Sequence, residues 1–427
     1  MRFCDLRTRL RTLFFYIFTA RGRRCKALLP HRLMQLAEVS CNNIGIKNMK
    51  FALKKVAFAV ACTTFAAGIA GFSTSASAIE NSEIKIGVSI WSSTDVLGSQ
   101  CKRILDKAAE SLGVQVQYVD QGHISEKVTA SVEQLAAAGC QGVIICNSSD
   151  TEMVSAIKTA NEYEIYLTQF FRIISKDANP DIYKMATESP YYIGAVHENE
   201  PDNGEKLVNI LIDKGCRNIG LIGWEQGDAT WLGRWTGYKA GVEKWNKAHP
   251  DDQVNLSEPQ YAGTSSEGGS KAAEALMAAN PKLDALIPAG GGGDPLQGAI
   301  AAVERAGKTG KIHIVSTDFL PDLGERLANG SMAGESGGHF CDPLFAFMMT
   351  YNAIKGEYKD IEGKFEDFKF PYLFVSSTKD YEGYDQYFVK QLPYTNDELV
   401  ALSKLDIEGL QKAANKLSIA DAAARAK

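Results

Sequence analysis

From residue 84 onward, short apolar runs alternate with amphipathic stretches, and a polar loop separates most of them. Ile84-Lys-Ile-Gly-Val-Ser-Ile90 reads as a strand that breaks into Trp91-Ser-Ser-Thr-Asp95. A helical pattern follows from about Val96, with Ile104, Leu105, Ala108 and Ala109 on one face. The plan repeats. Strands are predicted at 114–119, 142–146 and 165–168, running into Asp120-Gln-Gly-His123, Asn147-Ser-Ser-Asp150 and Gln169-Phe-Phe-Arg172. Helices are predicted at 125–138, stopped by Gly139, and at 152–161. After Glu200-Pro201 the series resumes, with helices at 203–214, 231–247, 266–279, 296–306, 321–328 and 342–354. The strands between them are predicted at 218–222, 255–261, 283–287 and 311–315. Repeated strand–helix–strand connections imply parallel strands with right-handed crossovers. The pattern therefore describes two consecutive α/β units without a low-complexity linker. Residues from about 379 are polar, then helical and alanine-rich, and read as an extension packed on, or trailing from, the second unit.

The first 78 residues break this plan. Met49-Lys-Phe-Ala-Leu-Lys-Lys55 is basic, Val56 to Phe72 is a run of mostly small apolar residues, and Ala76-Ser-Ala78 supplies a cleavage pattern. Together they read as a secretory signal peptide over 49–78, with Ile79 as the first mature residue. An uncleaved anchor fits less well, because the apolar run is at the short limit for a span and ends in cleavage-type residues. Cys62 follows Ala59-Val-Ala61, a poor lipoprotein signal. The expectation is export to the periplasm without a lipid anchor. Residues 1–48 fit none of this and are expected to be an over-extended reading frame, with Met49 the true start.

The chain has 427 residues, enough for two domains with sizeable cores. Its net charge of -5 hides an asymmetry, since residues 1–78 carry 13 Lys and Arg against 2 Asp and Glu. The body is therefore acidic, which argues against nucleic acid as a partner, because binding phosphates takes clustered cations. Of the nine cysteines, Cys101, Cys140, Cys146, Cys216 and Cys341 follow the leader. No pair has zinc-ligand or redox-motif spacing, and buried structural thiols are the expected reading.

Catalytic motifs fail on their context. Gly290–Gly293 invites a phosphate loop, but a Rossmann glycine pattern ending at Gly298 would place Pro295 where glycine is required. Gly307-Lys-Thr309 resembles the tail of a P-loop, yet Ala302 occupies the leading glycine position. Gly334-Glu-Ser-Gly-Gly338 matches a nucleophile elbow, which needs a strand before it, a helix directly after it and a later triad histidine. Only His339 follows, three residues on. No metal-ligand spacing is present, and no cofactor is expected.

Four segments carry a family resemblance in their order: Gly142-Val-Ile-Ile-Cys-Asn-Ser-Ser-Asp150, Asn161-Glu-Tyr-Glu-Ile165, Arg234-Trp-Thr-Gly-Tyr238 and Val315-Ser-Thr-Asp-Phe319. Over roughly 82–375 the chain resembles the type 1 periplasmic binding proteins, the ribose- and galactose-binding group. The resemblance implies an α/β fold of two Rossmann-like, doubly wound lobes with parallel sheets, joined by hinge strands. Crossings would fall near Val196–Glu200, near Gly337–Cys341 and near residue 365. The first lobe would comprise 79–197 and 340–365, and the second 198–339 and 366–427 with the extension. This sequence departs from the sugar binders at Gly292-Gly293, where an Asn-Asp pair is usual, leaving Asp294 nearby. It departs again at Phe171, where an acid often precedes the residue matching Arg172.

A cleft for a small polar molecule needs apolar faces and a few inward polar groups. The strand ends supply Trp91, Ser92, Thr94, Asp95, Asn147, Phe171, Arg172, Trp224, Trp231, Asp294, Asp318 and His339 as candidates for ligand contact. Arg234 and Trp235 read as structural. Asp95 serves equally well as the cap of the following helix, and His339 as a residue that fixes a hinge. The expectation is a non-enzymatic, monomeric solute-binding protein of an ABC importer, holding a sugar or polyol and presenting it to a membrane permease. The alternative is a periplasmic sensor that presents its ligand to a membrane receptor or histidine kinase. A secreted enzyme lacks a catalytic constellation, and a transcription regulator lacks a DNA-binding head.

Overall fold

β1 (Lys85–Ile90) is buried along all but its first residue. Such continuity, rather than alternation, is what a strand covered by helices on both faces requires. The computed structural model describes residues 79–290, 294–358 and 366–426, so the expected signal peptide and the segment before it lie outside the described residues.

α1 (Val96–Leu112) starts on the Asp95 side chain, which accepts from Gly98 N, and ends at Gly113 in the left-handed conformation. There follow β2 (Gln115–Asp120), α2 (Ser125–Ala137), β3 (Gly142–Ile145), α3 (Asp150–Tyr163), β4 (Tyr166–Phe170), α4 (Pro180–Thr187) and β5 (Tyr192–Glu198). The next series is α5 (Glu200–Asp213), β6 (Asn218–Gly223), α6 (Ala229–Ala248), β7 (Asn255–Leu256), β8 (Gln260–Tyr261), α7 (Ser266–Ala279), β9 (Ala285–Pro288), α8 (Asp294–Arg305), β10 (His313–Thr317), α9 (Leu323–Asn329) and β11 (Gly334–Gly337). Last come α10 (Asp342–Ile354), β12 (Glu366–Phe370), β13 (Leu373–Val375), α11 (Thr378–Tyr384), a π-helical turn at Asp385–Lys390, α12 (Asn396–Leu402), α13 (Ile407–Lys416) and α14 (Ile419–Arg425).

Two sheets result. The first runs β12-β5-β4-β3-β1-β2 and the second β13-β11-β10-β9-β6-β7, with β8 also on β6. Every pairing is parallel except β11 with β13. The chain leaves the first sheet between β5 and α5 and returns after β11. It crosses again at Pro371-Tyr372, a few residues later than expected.

α4, β5, β11, β12 and β13 carry no periodic signal strong enough to be placed from sequence. The run predicted at 255–261 splits into two two-residue strands. β11 also disposes of the nucleophile elbow. Ser336 lies inside the strand, 0% exposed, and its hydroxyl donates to Thr317 Oγ1 at 3.0 Å.

Glycines let paired helices touch in the second lobe. A Cβ at Gly237 of α6 would stand 2.0 Å from Pro201 O, and one at Gly204 of α5 would stand 2.1 Å from Arg234 O. α7 and α8 repeat this with Gly269 against Pro295 O and Gly298 against Ser266 O.

The C-terminal stretch is shared between the lobes rather than packed on the second unit alone. α11 lies against α9, with Tyr381 over Gly324 and the Tyr384 ring 4.3 Å from that of Phe319. α12 lies against α1, where Lys107 Nζ donates to Tyr394 O at 2.8 Å and Arg103 Nη2 to Lys390 O at 3.2 Å. Gln411 of α13 bridges both backbone groups of Lys369 in β12. All five described cysteines are buried and unpaired. Among the described residues, no helix is long and apolar enough to cross a membrane.

Candidate ligand-binding cleft

The loops after β1, β2, β3 and β4 face those after β6, β8 and β10, as strand ends do in an open parallel sheet. They enclose a cavity of about 530 Å³. Trp91 and Asp95 enter from the β1 loop, His123 from the β2 loop, Cys146 from β3, and Phe171 and Arg172 from β4. Opposite them stand Trp224, Thr230 and Arg234 of the β6–α6 region, Thr264 before α7, and Asp318 after β10. Glu198, Glu200, His339 and Tyr372 come from the crossings themselves.

One side is an aromatic wall. Trp91 lies parallel to His123 with ring centroids 5.9 Å apart, and 5.7 Å from Phe171. Phe171 meets His339 edge-on at 5.3 Å, and His339 lies 5.0 Å from Tyr372. The other side is polar and braced. Arg234, 4% exposed, donates through Nε to Glu200 Oε2 at 2.7 Å, and Tyr372 donates to Glu200 Oε1 at 3.0 Å. The Arg234 guanidinium also lies over Trp224, 5.4 Å from the ring centroid. Arg172 is held differently. Nη1 donates to Phe171 O at 2.9 Å, and no carboxylate among the described residues forms an ion pair with it.

Charge in the cleft follows from these contacts. Burial acts to neutralise His339, but the Asp318 carboxylate, with Glu198 behind it, holds the imidazole above its ordinary value. Asp318 is pulled below the carboxylate range, because His339, Arg234 and Arg172 outweigh burial. Burial, then Arg172, lowers His123 below its ordinary value. The Cys146 thiol is pushed up to about 11, chiefly by burial, so it is not a thiolate.

Backbone strain gathers here as well. Four described non-glycine residues have positive φ: His123 (55°), Glu164 (57°), Phe171 (59°) and Asp318 (73°). Glu164 closes α3, and the other three line the cleft. Unfavourable left-handed residues persist where the surroundings over-determine them, which is typical of binding sites.

Of the residues singled out from sequence, the cavity brings together Trp91, Asp95, Phe171, Arg172, Trp224, Asp318 and His339. The others lie elsewhere. Trp231 is 0% exposed in the second lobe's core, against Tyr238 and Gly223, because its place in the first turn of α6 turns it under the sheet. Asn147 is buried between Gln169 and Ser149, bracing the β3 loop. The Ser92 hydroxyl accepts from the backbone of Thr94 and Asp95, shaping the turn, and the Thr94 side chain stays exposed. Asp95 both caps α1 and accepts from Trp91 Nε1 at 2.5 Å. Asp294 begins α8, but its side chain lies outside the described residues.

Sequence reasoning passed over His123, Glu198, Glu200, Thr230, Thr264 and Tyr372. His123, Glu198, Glu200 and Thr264 sit in strand-end loops or an expected crossing and Thr230 in the first turn of α6, next to such a loop, so their positions carried a signal. Tyr372 did not, since β12 and β13 were unseen. Among the described residues, no group of three His, Cys, Asp or Glu could hold a metal ion.

The family described as periplasmic binding protein domain matches residues 86–338, and the chain belongs to it. Its fold is that of the type 1 periplasmic binding proteins, which bind solutes and are not enzymes. An ABC transporter solute-binding protein from Actinobacillus succinogenes, solved with D-allose, is 16% identical with a TM-score of 0.58, covering 70% of this chain and 100% of that one. A myo-inositol-bound protein from Bacillus halodurans is 18% identical at TM-score 0.56, covering 72% and 98%. A twin-arginine translocation pathway signal protein from Burkholderia phytofirmans is 17% identical at TM-score 0.60, covering 74% and 96%. No curated protein matches in sequence.

Proposed function

We propose that this protein is the exported solute receptor of an ABC importer, capturing a sugar or polyol between its lobes and delivering it to a membrane permease. The observation that carries this reading is the pairing of an aromatic wall with fixed hydrogen-bonding groups in one cleft. Trp91 and Phe171 offer faces to the C–H side of a ring, while Arg172, Asp318 and Glu198 offer donors and acceptors to hydroxyls. A site of this kind discriminates, because a ligand that leaves a buried polar group unpaired loses about 1–3 kcal/mol. The D-allose and myo-inositol complexes of structurally similar proteins support the ligand class. One chain supplies both walls, so a monomer suffices. Ligand touching both lobes favours the closed arrangement, since only contacts better made when closed can drive closure.

A thermal-shift screen across sugars, polyols, nucleosides and small acids tests this, because a ligand bound only to the native state raises apparent stability by mass action. A sugar or polyol should shift the transition. A shift by another class alone would replace the ligand assignment.

A further inference from the structure

Two acids meet where the chain crosses between the lobes. Glu198 ends β5, just before the first crossing, and Asp342 begins α10, just after the return. Asp342 is 0% exposed and Glu198 6%, and Glu198 lines the cleft. β5 packs against α10, and the two carboxyl groups act on one another's ionisation, Glu198 raising Asp342. Yet no well-aligned donor reaches Glu198 Oε1 or either oxygen of Asp342, and neither residue forms an ion pair among those described. An ionised carboxylate only accepts hydrogen bonds. Two of them, buried against one another, would repel strongly.

We infer that Glu198 and Asp342 share one proton across the hinge, so that Glu198 meets the ligand as a proton-linked hydrogen-bonding group rather than as a fixed anion. The proton is used between the two carboxyls, so Glu198 offers a ligand an acceptor whose charge is shared with Asp342. It also ties the end of β5 to the start of α10.

The surroundings keep the proton in place. Burial is the largest influence on both acids and raises both. Around Glu198, the charged His339 favours ionisation and Glu200 opposes it. The Arg172 guanidinium and the Tyr372 hydroxyl also feel Glu198. Around Asp342, Glu198 opposes ionisation, while the Phe171 backbone amide favours it. The Cys101 and Cys341 thiols face the same carboxyl.

The test uses the whole unliganded protein, so it stands whether or not a sugar binds. Infrared spectroscopy at neutral pH should show neutral-carboxyl absorption that falls by one carboxyl equivalent in Asp342→Asn and in Glu198→Gln. The buried acid Glu335 contributes its own signal, so the difference from wild type is what is read. An acid with a raised value in the folded state stabilises fully below its unfolded value and loses that contribution as pH rises through the folded one. Wild-type Tm should therefore fall with rising pH, and Asp342→Asn, whose amide donates permanently, should flatten this slope. Unchanged neutral-carboxyl absorption in a folded variant, or a wild-type slope in Asp342→Asn, overturns the inference. If one variant does not fold, the spectrum of the other decides.

Discussion

His339 Nε2 stands 2.9 Å from Asp318 Oδ1, joining the residue after β10 to the crossing that follows β11. The contact fixes a cleft carboxylate to a hinge residue, and each partner sets the other's charge. His339 is held above 6.5, so its contribution to stability is complete below 6.5 and is lost as pH rises through the folded value. Asp318 is held below 3.8, so its contribution is present above 3.8 and is lost as pH falls through the folded value. The pair should thus stabilise most between these limits. Urea unfolding at several pH values should show that His339→Gln loses more stability at pH 5 than at pH 9. An equal loss at both would contradict the assignment.

Arg172→Ala and Asp318→Ala should each weaken binding of whichever sugar or polyol raises the Tm. A hydrogen bond to a charged group contributes about 1.5–3 kcal/mol, roughly a 10- to 100-fold change in Kd. Calorimetric titration measures it. Unchanged affinity in both folded variants would remove these residues from the ligand.

Breaking the brace opposite is predicted to act on the fold. Arg234 and Glu200 form a buried pair, and removing one partner leaves the other charge uncompensated. Arg234→Ala should cost about 3–5 kcal/mol in chemical denaturation. Arg234→Ala combined with Glu200→Ala should cost less than the two single losses added together.

The helix contact at Gly237 tests the close approach of α5 and α6. Gly237→Ala would force backbone apart and should destabilise by about 1–3 kcal/mol. Gly215→Ala meets no neighbouring atom but has φ 87°, so any loss there measures backbone strain alone. Thermal unfolding of the two variants separates the effects.

Much of this was legible in the chain because helices and buried parallel strands leave long, periodic signals. α7 and α10 fall on their predicted residues, and the loops after β1, β4, β6 and β10 were recognised as the places where ligand chemistry gathers. Short edge pieces were not legible. β11 is Gly-Glu-Ser-Gly, which has no apolar pattern and is a strand only because Val315–Thr317 and Leu373–Val375 flank it. Trp231 shows a different limit. Nearness to a strand end was apparent, but which way the first turn of α6 would face depends on packing against Tyr238. Glu198 and Asp342 lie far apart in sequence, and only the two crossings bring them together.

The first sheet takes its edge from the far end of the chain. β12 pairs with β5, while α12 and α13, later still, cover α1 and β12. The opening half of the protein is therefore the last to be completed as the chain is made. Until residues beyond 366 are available, β5 keeps a bare edge, which is a template for pairing with other chains. The final residues thus bear on whether the beginning folds or aggregates.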